Sequence, residues 1–191
     1  MTLKHLWLAA SLVLTTLSVT AQTSATPAAL PSVTTVAALN VQRYMGTWYE
    51  IAKFPNRFQA KCTTNTRAQY LVQTDGSIQV LNSCIATDGS TIDALGLAKQ
   101  VGPATSPKLQ VRFAPAWLSF LPMVWGDYWV IDLDADYQLA AVSDAKREYL
   151  WVLSRTQKVD AKVYGALLER LNAQSFDVHK LELTTQTSAT R

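Results

Sequence analysis

The feature that most restricts what this chain can become is a train of short segments between Gly46 and Arg155. Each alternates apolar and polar residues at period two, and most are joined by turn-sized connections. "GTWYEIAKFP" opens the train and packs Trp48, Tyr49 and Phe54 ahead of Pro55, with Phe58 just beyond. "TRAQYLVQ" and "SIQVLNSC" flank Thr74-Asp75-Gly76, a hairpin signal, and a second Asp-Gly pair at Asp88-Gly89 introduces the next strand. "PKLQVRFA" sets Leu109, Val111 and Phe113 on one side. "GDYWVIDLD" and "YQLAAVSD" are linked by an acidic turn at Asp134 to Asp136, and "REYLWVLSR" ends the train. Eight strands, each joined to the next by a short link, read as an antiparallel meander.

The period then changes. Val159, Val163, Ala166, Leu167 and Leu171 recur at three and four, and Asp160 can cap the helix they predict. "HKLEL" offers a last short strand. Eight strands and a helix suit an open sheet, a sandwich or an up-and-down barrel. Of these, a barrel removes the exposed edges, and eight strands enclose an interior just wide enough for one small ligand.

The ends read differently from the middle. Residues 1–21 carry Lys4 and His5, then an apolar run of about fourteen residues, short of the roughly twenty that a span requires, and finish in Val19-Thr20-Ala21. They are expected to be an export signal. No cysteine follows the small residues there, so no lipid anchor is expected, and the destination is the periplasm, the outer membrane or the medium. Residues 22–39, rich in Thr, Ser, Ala and Pro, read as a flexible leader; 40–184 as the folded domain; and 185–191 as a loose tail.

A net charge of +3 with no basic block provides no footprint for nucleic acid. In an oxidising compartment Cys62 and Cys84 pair by default, the other arrangement being two buried thiols. A metal site would need more ligands than these two cysteines and His179, so no metal or cofactor is expected. There is no G-x-S-x-G or H-E-x-x-H pattern to carry a nucleophile or a catalytic zinc, so no catalytic residue is assigned. Glu50 and Asp132 are the carboxylates that could face inward.

Residues 40–183 resemble the lipocalin family, in particular the bacterial outer-membrane lipocalins and the apolipoprotein D-like proteins. Gly46-Thr47-Trp48 matches the family's G-x-W at the first strand. Asp134 with Tyr137 falls at the turn between the sixth and seventh strands, where the family has threonine-aspartate-tyrosine; here Leu133 replaces the threonine and the spacing is longer. Arg155 ends the eighth strand, before the helix. "YMGTWYEIAKF", "FLPMVWGDYWVIDLD" and "REYLWVLSRT" are close to phrases of the bacterial subgroup. The resemblance implies an all-β, eight-stranded antiparallel up-and-down barrel with one C-terminal helix packed outside. It also implies that Trp48 lies across the closed end under Arg155.

If Arg155 points inward, alternation places Leu153, Trp151 and Tyr149 on the same face. Alignment with the family turns Tyr128 and Val130 inward. The other strands would contribute Ala68, Tyr70, Ile78, Val80, Leu109, Val111, Phe113, Leu139 and Ala141. Such a lining suits an apolar ligand with a modest polar head, and the expected cargo is a fatty acid or lysophospholipid serving membrane maintenance. A lipid-modifying enzyme on the same scaffold and a carrier of a pigment or haem-like group are the alternatives. The connection 114–125, "APAWLSFLPMVW", carries no charge and is expected to fold over the barrel mouth, to touch a membrane surface or to form a homodimer contact.

Overall fold

The computed structural model describes residues 30–187; the expected export signal and the last four residues lie outside the described residues. A short helix α1 (Val41–Tyr44) leads into β1 (Gly46–Lys53), β2 (Cys62–Val72), β3 (Ile78–Ala86), β4 (Thr91–Gln100), β5 (Lys108–Arg112), β6 (Gly126–Leu133), β7 (Leu139–Ser143) and β8 (Leu150–Ser154). Helix α2 (Ala161–Ala173) and a two-residue strand β9 (Glu182–Leu183) follow. Each strand pairs antiparallel with its successor, and β1 pairs with both β8 and β2, which closes the barrel.

The Asp-Gly turns form as expected. Asp75 and Asp88 accept hydrogen bonds from the backbone and hydroxyl groups of Ser77 and Ser90. Gly76 and Gly89 take positive φ, a conformation that glycine adopts without a Cβ clash.

Two apolar layers share the wall. The inner one fills the barrel and includes Trp48, Tyr70, Val80, Leu109, Val130 and Leu153. The outer one lies between the wall and α2, where Leu167 and Leu171 meet Ile131, Leu150 and Val152. Asp160 caps α2 by accepting from the amides of Lys162 and Val163. Arg170 forks onto Asp132 at 2.7 and 2.9 Å. Asp132 is therefore outside the barrel, contrary to the inward orientation considered for it, because a bulge between Val130 and Asp132 shifts the phase of β6.

Both flanking segments are more tightly held than the sequence suggests. In the expected leader, Val33 is buried in the outer layer and Leu39 in the inner one, and Val36 N–H donates to the Val130 carbonyl. In the expected tail, Thr185 bridges to Thr64, Gln186 donates to the Glu50 and Thr66 carbonyls, and Thr187 bonds Asn65. The cause is a gap in the wall. The β1–β2 ladder covers only Gly46–Tyr49, and beyond it the C-terminal segment supplies partners that those backbone groups would otherwise lack. Cys62 and Cys84 are disulfide-bonded, tying β2 to β3 near the open end.

Candidate ligand-binding site

One end of the barrel is sealed. Trp48 is fully buried, and its indole N–H donates to the Tyr44 carbonyl at 2.8 Å. The Arg155 guanidinium lies 4.0 Å from its ring centroid and donates to the carbonyls of Thr47, Arg43 and Tyr137. Gly46 has φ +93°, and a Cβ there would also approach Arg155 Nη1 to 3.4 Å. Asp134 Oδ1 accepts from the amides of Gln138 and Leu139. That turn aims the Tyr137 carbonyl at Arg155 and its hydroxyl at the Asn40 amide. The four signature residues thus form one structural plug.

Above the plug, Ala68, Tyr70, Ile78, Val80, Leu109 and Val130 belong to the inner layer, with Val111, Tyr128 and Trp151 packed against it. Phe113 stands at the rim, half exposed, in space that only a glycine leaves free: a Cβ on Gly96 would lie 2.7 Å from its ring. Tyr149 is also at the rim, stacked on Trp151 at 5.7 Å, with Phe58 at 5.5 Å on its other side.

Leu139 and Ala141 do not face the lumen. They lie in the outer layer beneath α2, and Ala140 and Val142 point inward instead. Every residue of β7 is buried, so both faces are apolar and alternation carries no signal of which one is inside. Leu39, Tyr44, Ala98, Ala140 and Val142 are inner residues absent from the expected lining. Tyr44 lies on α1, outside the strand alternation, and no sequence signal marked it.

Two polar groupings interrupt the apolar lumen. Low down, the Tyr128 hydroxyl is 2.9 Å from both the Tyr44 and the Tyr70 hydroxyls. Burial pushes all three phenols up, Tyr70 to about 12, so they are neutral at physiological pH. Beside them is a void of about 10 Å³, room for roughly one water molecule. Nearer the mouth, the buried Glu50 carboxylate accepts from Thr184 and Gln59, and the Gln59 carbonyl oxygen accepts from the Trp151 indole N–H at 2.9 Å. Burial raises the Glu50 carboxyl above its ordinary value, against the opposing effect of those bonds and of Lys53. Lys53 stands opposite Trp151 in the β1–β8 ladder and pairs with Glu182 at 2.9 Å.

The 114–125 connection holds three of its large apolar side chains out in solvent. Trp117, Phe120 and Met123 are 72%, 75% and 85% exposed. The β1–β2 connection contributes Phe58, against Tyr149, and Gln59, bonded to Glu50 and Trp151.

Comparison with known proteins agrees with this architecture. Residues 39–186 match the lipocalin-like domain. The chain is 44% identical over 153 residues to temperature-induced lipocalin-1 of Arabidopsis thaliana, covering 79% of this chain and 81% of that protein. It is 37% identical over 149 residues to the outer membrane lipoprotein Blc of Escherichia coli, covering 78% and 80%. Among solved structures, insecticyanin from the tobacco hornworm Manduca sexta superposes with a TM-score of 0.65 at 19% identity, covering 86% of this chain and 89% of that one. A family match over most of the chain, with a closed eight-stranded barrel and a sealed Trp48–Arg155 end, shows that this chain belongs to the lipocalin family.

Proposed function

We propose that this protein binds a small amphiphile, a fatty acid or lysophospholipid, with its apolar part in the barrel, and carries or stores it for maintenance of the cell envelope. The observation that carries this reading is the polarity of the lumen: an apolar face runs from the Trp48 plug to a single mouth, where Glu50, Gln59 and Lys53 collect. Burying an acyl chain there gains about 25 cal/mol per Å², and a head group at the mouth avoids burying charge without a partner. Entry requires the Gln59 segment to move, since the described lumen holds little free space. Glu50 is engaged by Thr184 and Gln59, which suits a binding role over a catalytic one, and the reading needs no cofactor.

Export and an envelope location are supported by the apolar N-terminal run and by relatives that are named outer membrane lipoproteins. Trp117, Phe120 and Met123 would then rest on a lipid surface at the open end, with a homodimer contact as the other use of the same patch.

The filled lumen favours one second reading, a barrel serving as a docking surface for another protein. Titration of the full chain with a fluorescent fatty acid separates the two. Saturation near one per chain, reversed by unlabelled palmitic acid, is expected. No uptake at micromolar probe would overturn the carrier reading in favour of the second.

A further inference from the structure

The tyrosine cluster at the bottom of the lumen has an unbalanced hydrogen-bond count. Each phenol brings one donor proton, and two contacts of 2.9 Å join the three hydroxyls of Tyr44, Tyr128 and Tyr70. Whichever way the protons point, two are used and the third has no acceptor among the described residues. Tyr128 is the hub, and all three tyrosines line the void with apolar side chains including Ile78, Leu109 and Val111. A buried donor without a partner is unfavourable, and a ligand that supplies the acceptor recovers that loss.

We propose that Tyr44, Tyr70 and Tyr128 form a donor site for a neutral oxygen at the inner end of the ligand, so that the preferred cargo is an acyl amphiphile carrying a hydroxyl or carbonyl at the end remote from its head. This rests on the carrier reading above and narrows it. The void has room for about one water-sized group, such as a single hydroxyl or carbonyl oxygen. The residues lining the void carry no charge, and Arg155, stacked on Trp48, is committed to three carbonyls. No charge therefore faces the void to compensate a carboxylate, which restricts the site to a neutral acceptor.

The test is competition binding of palmitic acid and ω-hydroxypalmitic acid to the full chain. The unaltered protein is expected to prefer the hydroxy acid by roughly tenfold, the worth of one recovered hydrogen bond. In the triple variant Tyr44→Phe, Tyr70→Phe, Tyr128→Phe the ratio should fall to about one. The Tyr44→Phe, Tyr70→Phe pair keeps the Tyr128 donor and should keep the preference.

A second measurement needs no variant: the hydroxy acid should shift the tyrosine absorbance to the red, and palmitic acid should not. Equal affinities and equal spectra in the unaltered chain would overturn the donor site while leaving the carrier reading intact. A preference that survives in the triple variant would place the donor elsewhere and would also overturn it. Failure of both acids to bind would overturn the carrier reading along with the site.

Discussion

Arg155 clamps Trp48 at the closed end: its guanidinium is 4.0 Å from the ring centroid and donates to three backbone carbonyls, those of Thr47, Arg43 and Tyr137. One side chain thereby joins the start of β1, the α1 segment and the β6–β7 turn. A lysine can keep the charge but not the planar fork that reaches three acceptors. Arg155→Lys should cost about 1–3 kcal/mol, from the cation–π contact and the lost charge-assisted bonds. Urea unfolding followed by tryptophan fluorescence measures it, and an unchanged midpoint would show that the contact contributes nothing.

Glu50 makes stability depend on pH in a stated direction. Its folded carboxyl titrates above the ordinary value of 4.5 because of burial. The folded chain therefore holds this proton more tightly than the unfolded chain. The contribution is fully present below that ordinary value, is lost as pH rises toward the folded value, and is constant beyond it. Glu50→Gln removes this dependence and can still bond Thr184 and Gln59. The stability of the variant relative to the parent should rise with pH across that window. Melting curves from about pH 4 to 8 read the difference, and parallel curves would contradict it.

Leu139 packs under α2 and not against the lumen. Leu139→Ala should cost about 2–5 kcal/mol in stability, as a cavity in a packed layer, while leaving the relative affinities of different acyl ligands unchanged. A variant that alters ligand selectivity at unchanged stability would place Leu139 back inside the barrel.

The same strand shows what sequence patterning can and cannot read. Strands with one polar face, such as "KLQVR" in β5, put Leu109 and Val111 inside as alternation predicts. β7 is buried on both faces and offers no such contrast, so its register became visible only through its pairing with β6 and β8. The Trp48–Arg155 plug was legible because three separated motifs meet there. The strand at 182–183 was legible in "HKLEL", but the attachment of 184–187 was not: it answers a gap between β1 and β2 that exists only in three dimensions. The tyrosine cluster was half legible: the expected lining included Tyr70 and, through alignment with the family, Tyr128, but Tyr44 lies on α1.

Trp117, Phe120 and Met123 present an apolar tip to solvent beside the mouth. If that tip meets lipid, replacing all three with serine should weaken co-sedimentation with phospholipid vesicles at least tenfold, given roughly 1.5–3 kcal/mol for each large apolar side chain buried. Stability should change by about 0.5 kcal/mol or less, as for other surface substitutions. Unaltered vesicle binding would instead direct attention to the dimer contact, which sedimentation velocity reads.

The most direct test of the carrier reading is native mass spectrometry, with lipid extraction, on protein purified from its own cells. A fatty acid or lysophospholipid at near one per chain is expected. Protein that emerges empty, and stays empty after incubation with a fluorescent fatty acid, would contradict it.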